Sequence, residues 1–371
     1  MNADTIVIGL GAMGLSAAWQ LSRRGQRVLG LEQFGLAHDR GSSHGQTRII
    51  RQAYYEHPDY VPLARRAYEG WFDLEQSDGR RFVTICPCLS LGPVSGELIL
   101  GVRRAAREHS LPVEELNASD VRRRFPAFEV GDDMVGILEH TAGIVAVEDS
   151  LLAMAADARR FGVELRENET VVAWRLDGSG VSVETTSGTY RAERLVITAG
   201  PWARRFLDEP LTVMRQVVFW FAGTKRQQFR RDVFPVFIAD TPGGYYYGIP
   251  ALDTRGVKVA QHYGADELPS PDAINRQVGP ADEAAVRAFL QRYLPSADDR
   301  VEGLSVCLYT LTPDRHFLID QLEERVVFAA GFSGHGFKFA PVVGEILADL
   351  SMWGKTSLPA ALFRRRAFTP V

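Results

Sequence analysis

The chain has 371 residues, 46% hydrophobic and 24% charged, with a formal net charge of −4. That is the make-up of an ordinary globular protein, long enough for two domains rather than one core. The charge balance leaves no electrostatic footprint for nucleic acid or an anionic membrane, and no apolar run approaches a bilayer's span.

The opening Met-Asn-Ala-Asp has no basic n-region, so no signal peptide is expected. Thr5-Ile-Val-Ile-Gly-Leu reads as a buried parallel strand. It runs into Gly9-x-Gly11-x-x-Gly14, a helix from about Met13 to Arg24 stopped by Gly25, and a second strand from Arg27 to Glu32. Strand, glycine turn, helix and a strand ending in an acid make a dinucleotide-binding βαβ unit. Glu32 would accept hydrogen bonds from a ribose diol and repel a 2′-phosphate. Residues 41–51 follow as Gly-Ser-Ser-His-Gly-Gln-Thr-Arg-Ile-Ile-Arg, a turn-forming half and then a strand-like half. They concentrate His44, Arg48 and Arg51 where a cofactor's reactive ring would lie. On the residues alone, His44 also reads as a hydrogen-bonded loop residue and the arginines as surface charges.

Helices are predicted over about 59–76, 97–109, 120–125, 150–161 and 282–293, and strands over 163–166, 170–176, 181–185 and 194–200. Cys86, Cys88 and Cys307 are too few for a disulfide framework, and the spacing of Cys86-Pro87-Cys88 suits neither a redox nor a zinc pair. Cys86 and Cys88 read as packing residues of a buried strand, no metal site is expected, and a reducing, cytoplasmic compartment fits. Residues 213–262 are β-like and rich in aromatics. The chain closes with the apolar strand 326–330, the loop Gly331-Phe332-Ser333-Gly334-His335-Gly336-Phe337-Lys338, and a helix from about Pro341. A glycine loop at a helix N-terminus favours close backbone approach to an anionic ligand. With glycine loops near both ends, one large dinucleotide gripped by both is expected.

The fold class expected is α/β and α+β: a Rossmann-like nucleotide-binding domain from discontinuous segments, 1–78, 142–207 and 301–371, with an inserted β-sheet-rich substrate domain, 79–141 and 208–300. Only four of the 42 Lys and Arg residues are lysines. Lys225 and Lys355 look like solvated turn residues. Lys258 and Lys338 sit in strand and glycine-loop contexts, where arginine could not replace a compact, tunable ammonium.

Gly9 to Gly14, Glu32, the Gly-Ser-x-His-Gly-x-Thr-Arg-Ile-Ile-Arg segment, Val306-Cys307-Leu308-Tyr309-Thr310 and the loop from Gly331 to Phe339 occur in the same order as in a known family. From Thr5 to the terminal helix the chain resembles monomeric sarcosine oxidase and N-methyltryptophan oxidase, FAD-dependent amine oxidoreductases of the glycine oxidase/D-amino-acid oxidase type. The resemblance implies FAD held by Gly9, Gly11, Gly14, Glu32, Ser42, Thr47, Gly334, Gly336 and Lys338, and attached covalently through Cys307. In isolation Cys307 is a buried strand cysteine. Lys258 matches the family's lysine that meets oxygen beside flavin N5; otherwise it is a strand lysine. Arg51 and Lys338 match the pair that holds the substrate carboxylate, and Tyr247 and Tyr309 match cavity tyrosines. His262 matches a histidine near flavin and amine, and His44 and Arg48 match residues flanking the isoalloxazine. Lys258, Arg48, His44 and His262 are thus the catalytic candidates.

Ser43 and Gln46 depart from the family, which commonly has a histidine and an aspartate there. An acid lost beside Arg48 implies a more cationic flavin environment and weakens the case that the substrate is sarcosine itself. The implied activity is oxidation of a secondary, N-methyl or cyclic amino acid by hydride-type transfer to flavin N5, with imine hydrolysis and release of H2O2. The protein would be a monomer whose partners are an amino acid and O2. Two alternatives share the fold: a dehydrogenase passing electrons to a quinone or carrier, and a flavin-binding subunit without turnover. Gly9 to Glu32 alone would also suit an NAD-dependent dehydrogenase.

Overall fold

The computed structural model describes residues 2–368. The outermost ends of the expected nucleotide-binding segments, residue 1 and residues 369–371, lie outside the described residues. Asn2–Ile8 pairs in parallel with Val28–Leu31 on one side and Thr189–Ile197 on the other. Glu164–Arg166 and Val326–Ala330 extend this parallel core at its two sides. Val28–Leu31 and Val326–Ala330 are buried at every position, which explains their continuous apolar runs. Val171–Asp177, Gly180–Thr185 and Leu318–Glu323 add antiparallel neighbours, completing eight strands.

Helices Ala12–Arg23, Tyr60–Asp78, Val147–Arg160 and Ala340–Trp353 share one apolar core that includes Leu15, Trp19, Trp71, Leu151 and Leu347. The first and last of them meet at Gly344, where a Cβ would lie 2.2 Å from Ser16 Oγ and 2.5 Å from its carbonyl carbon. Ile8, Leu31, Ile197 and Ala330 end their parallel strands on the same edge of the sheet. The loops that follow them therefore converge, at the edge where open α/β sheets bind ligands.

The second sheet has nine strands, with Thr212–Phe221, Val257–His262, Gly244–Ile249 and Val236–Thr241 adjacent in that order. In its register Lys258 faces Trp220 and Ile249, His262 faces Tyr245, and Ala260 faces Tyr247. Val301–Leu311 pairs on the other side of Thr212–Phe221, with Cys307 opposite Gln216 and Tyr309 opposite Met214. Cross-strand partners share a face and alternate residues oppose it. Lys258, His262, Tyr247, Cys307 and Tyr309 are thus gathered on one face. Val257, Val259, Phe219, Phe237 and Val306 form a core on the other, with Phe289 and Leu290 of helix Pro280–Tyr293. Val301–Leu311, expected among the nucleotide-binding segments, pairs along its length within this second sheet. A short third sheet, Thr47–Ile50, Gly143–Ala146 and Val83–Ile85, carries Arg48.

Differences from the expected elements have local causes. The helix expected from 120 begins at Ala118, because the Asn117 side chain accepts from the Asp120 N–H. The helix expected from 282 begins at Pro280, whose missing N–H costs nothing in a first turn. The last helix is preceded by a 3-10 turn, Phe337–Phe339, so the glycine loop does not abut its free amides directly. Among the described residues no helix is long and apolar enough to cross a membrane.

Gly344→Ala should cost about 1–3 kcal/mol through overpacking between the two helices. Gly279→Ala, at a negative φ with open space around the new Cβ, should be close to neutral. Thermal unfolding of the two variants checks the contrast.

Candidate active site

A long crevice runs along the carboxyl ends of the parallel strands, lined by Gly9, Gly11, Glu32, Ser42, Ser43 and Thr310 among others. Gly9 has φ +84° and leaves room for the Thr198 carbonyl, 2.7 Å from where a Cβ would stand. A Cβ at Gly14 would lie 1.8 Å from the Gly9 carbonyl oxygen, so the turn closes only with glycine there. At Gly11 the nearest atom would be Ser43 Oγ at 3.6 Å, leaving open space for a ligand. Glu32 is buried and accepts from the Leu10 N–H at 2.8 Å and the Phe34 N–H at 3.1 Å. Ser42 Oγ donates to the Leu308 carbonyl at 2.5 Å. Thr310 Oγ1 is buried on the crevice wall without a partner among the described residues. A buried hydroxyl of that kind calls for a ligand or water, and Thr310 is not among the site residues expected from the sequence. Glycine turn, fixed acid, open floor at Gly11 and unpaired Thr310 together fit FAD.

Gly331, Gly334 and Gly336 also line the crevice. Their missing side chains serve the protein's own rings as much as a ligand. A Cβ at Gly334 would stand 2.3 Å from Tyr309 Cε2, and one at Gly336 2.5 Å from Phe332 Cβ. Thr47, expected at the cofactor, is buried without lining the crevice, and its hydroxyl has no partner among the described residues.

A smaller chamber adjoins the crevice, and Arg48, Tyr309, Gly334 and Phe337 line both. Its wall brings together the expected Arg51, Lys338, Tyr247, His262 and Cys307. Ile49, Tyr55, Glu56, Ile238 and His335 complete it, and none was foreseen. Arg48 donates to the Thr47 and Ser42 carbonyls, both at 2.9 Å. Buried Arg51 donates to the Ala53 carbonyl at 2.7 Å and to both oxygens of Glu56, at 2.8 and 3.0 Å. Lys338 donates to the His335 carbonyl at 2.8 Å and to the Tyr54 hydroxyl at 3.2 Å. Burial and then the Arg51 charge lower its ammonium to about 7, with Glu56 opposing them. His262 Nδ1 lies 3.2 Å from the Tyr309 hydroxyl, and burial lowers the imidazole to about 3, so it is neutral. Burial raises the Tyr247 phenol to about 12. It also raises the Cys307 thiol, against the pull of Arg48, Lys258 and Arg276.

Lys258 and His44 line neither cavity but sit behind the wall. Lys258 is 1% exposed and donates to the Gly45 carbonyl at 2.7 Å and the Thr47 carbonyl at 3.0 Å. Burial, then Arg48, lowers its ammonium well below the ordinary value. His44 Nε2–H donates to the Gly41 carbonyl at 3.1 Å, leaving Nδ1 to accept from Ser305 Oγ at 3.1 Å. Burial and Arg48 lower it to about 4. Both side chains therefore brace residues 41–47.

The two departures have visible partners. Ser43 Oγ accepts from the Ala12 N–H at 3.3 Å, at the start of the first helix. Gln46, at φ +72°, donates its side-chain amide to Asp253 at 2.9 Å. The Gly45 and Gln46 N–H groups donate to Glu148 at 2.7 and 3.1 Å. A carboxylate, Glu148, thus stands at the backbone amides of the 45–46 turn.

A dinucleotide crevice opening through a shared wall into a chamber of buried cations is the arrangement of a flavin-dependent oxidoreductase. Residues 4–350 match the FAD dependent oxidoreductase family, to which the chain belongs. It is 41% identical to monomeric sarcosine oxidase of Streptomyces avermitilis, over 99% of this chain and 98% of that relative. It is 35% identical to N-methyl-L-tryptophan oxidase of Yersinia pestis over 94% of each. Among solved structures, NikD, an unusual amino acid oxidase essential for nikkomycin biosynthesis, has a TM-score of 0.85 at 28% identity, covering 98% of this chain and 97% of its own. Glycine oxidase from Geobacillus kaustophilus shares the fold, with a TM-score of 0.83 at 20% identity, covering 99% of this chain and 100% of its own.

Lysine carries its charge below its pKa. The affinity of a small carboxylate for the chamber should therefore fall as pH rises through about 7, and Lys338→Met should abolish that dependence. Titration with propionate, followed by the flavin absorbance, measures it.

Proposed function

We propose that this chain is an FAD-dependent oxidase of a secondary amino acid, N-methylated or cyclic, with O2 as electron acceptor. The observation that carries the reading is the chamber itself. Arg51 and Lys338 stand together at one wall, and the same small space reaches Cys307, Arg48 and Tyr309 beside the cofactor crevice. A carboxylate held by a guanidinium fork and an ammonium would fix one end of an amino acid. Its α-carbon and nitrogen would then lie toward the junction of the two cavities, and that alignment lowers the barrier.

In the chain as folded, Glu56 occupies the Arg51 fork, so an incoming carboxylate must compete with it. Nearby cations favour the neutral amine, the form able to give up a hydride. Neutral His262 and Tyr309 hold a hydrogen-bonded wall without adding charge. When bound, FAD would supply the two-electron acceptor that takes the hydride and passes the electrons to O2, giving H2O2. Water then hydrolyses the imine product. The flavin would be held on the Gly9–Gly14 turn, Glu32, Ser42, Thr310 and the 331–338 loop, and bonded to Cys307, whose neighbouring Arg48, Lys258 and Arg276 favour the thiolate. Lys258 would act from behind the wall, its positive field helping electrons reach O2. Nucleotide-binding segments 1–78, 142–207 and 301–371 would meet substrate-binding segments 79–141 and 208–300, with Val301–Leu311 joining the two through the second sheet, in a monomer of the cytoplasm.

N-methyl and cyclic amino acids should bleach the flavin under anaerobic conditions and, under air, release one peroxide for each amino acid oxidised. Bleaching without peroxide would point instead to a carrier-linked dehydrogenase. Lys258→Met should slow reoxidation by air at least tenfold and change anaerobic reduction far less, as stopped-flow absorbance would register. After acid precipitation the flavin should stay with the wild-type pellet and leave the Cys307→Ser pellet.

A further inference from the structure

Two cations in one small chamber repel each other, and something must set their spacing before a substrate arrives. Tyr54 lies between them, fully buried. The Arg51 guanidinium carbon sits 4.0 Å from the centroid of its ring, and Lys338 Nζ lies 5.2 Å from the same centroid. Its hydroxyl is 3.2 Å from Lys338 Nζ and 2.8 Å from His335 Nδ1. His335 Nε2 lies 3.1 Å from the Arg315 carbonyl, a group that can only accept. That bond places the imidazole proton on Nε2 and leaves Nδ1 as an acceptor. The Tyr54 proton then goes to Nδ1 at 2.8 Å in preference to the His335 carbonyl at 3.3 Å, and its oxygen lone pairs are turned to the Lys338 ammonium. Lys338 gives a second N–H to the His335 carbonyl at 2.8 Å, which leaves one for a ligand. A 4.6 Å stack on Tyr60 fixes the Tyr54 ring from behind.

We propose that Tyr54, oriented by His335, is a positioning residue of the carboxylate clamp. Its ring face seats Arg51 and its hydroxyl holds Lys338 in the charged, forward-facing form. The inference rests on the clamp reading given above. It assigns a role to two residues that would themselves touch neither the reacting atoms nor the carboxylate. The charged and titratable groups facing Lys338 besides Tyr54 are Arg48, Arg51, Glu56, Cys88, His262 and His335. His335 and His262 are kept neutral by burial, so neither contributes a charge that titrates in the neutral range. Within this set Tyr54 is the side chain whose oxygen accepts directly from the ammonium.

The test uses flavin-loaded protein and propionate as ligand, with affinity followed from pH 5.5 to 9 by flavin absorbance. Tyr54→Phe keeps the ring under Arg51 and removes only the acceptor. Its binding midpoint should move down by about one pH unit, with affinity about tenfold weaker at pH 8 and nearly unchanged at pH 5.5. The limiting rate of anaerobic flavin reduction by a saturating N-methyl amino acid should change less than about twofold. His335→Ala, which strips the acceptor that orients Tyr54, should shift the midpoint the same way by a smaller amount. Unfolding temperature and flavin content establish that each variant is folded, and a folded variant of either kind suffices. An unmoved midpoint, or an equal loss of affinity at every pH, overturns the proposal. Lys338→Met separates the two levels. If it leaves propionate affinity intact, the clamp reading falls and takes this inference with it. If it weakens binding while Tyr54→Phe leaves the midpoint in place, only the role of Tyr54 is refuted.

Discussion

Arg51, Lys258 and Lys338 are buried and Arg48 is half-buried, and among the described residues Glu56 is the only carboxylate paired with any of them. Burying a charge is costly unless hydrogen bonds replace its hydration. Here the replacements are mainly backbone carbonyls: Thr47 and Ser42 for Arg48, Ala53 for Arg51, Gly45 and Thr47 for Lys258, and His335 for Lys338. A carbonyl solvates a cation without cancelling its charge. The chamber is thereby left positive, suited to an anionic ligand and to negative charge developing on a cofactor. Much of the local backbone, including the unusual φ of Gln46 and the turn at Gly45, delivers those carbonyls.

Two different folding rules bring these groups together. Parallel strands end on one edge, so loops distant in sequence converge without any contact between them being encoded locally. Antiparallel register then places alternate residues of three strands on one face. Val301–Leu311 matters because it belongs to the second sheet yet leads, through the turn at 312–317, into the first. Cys307 and Tyr309 sit on this strand and thus stand where the two rules meet.

Local signals were readable from the sequence. The βαβ unit with Glu32, the β-like character of the aromatic-rich region and the terminal glycine loop are each local patterns, and the structure places those elements close to where they were expected. The family motifs also named Arg51, Lys338, Tyr247, His262 and Cys307, which the fold gathers in one chamber. What escaped is what depends on tertiary approach. Nothing at position 148 announces that its carboxylate would receive two amides of the 45–46 turn. Nothing in Gly334 distinguishes room for a ligand from room for Tyr309. Thr47 serves Arg48 and Lys258 through its carbonyl, a group any residue would supply, so no side-chain signal marks that role. Glu56 and Tyr54 were within reach, since each lies within five residues of Arg51. Their pairing needed the turn after the Thr47–Ile50 strand to be seen in space.

The contact between Gly334 and Tyr309 makes the two cavities mechanically dependent. With no Cβ to spare, the loop and the ring form a single partition, and Tyr309 passes the contact on to His262. Whatever reshapes the loop on the cofactor side must displace the ring on the substrate side. The shape of one compartment is therefore not a free variable once the other is filled, and a change in amino-acid preference could begin with a substitution that faces only the flavin.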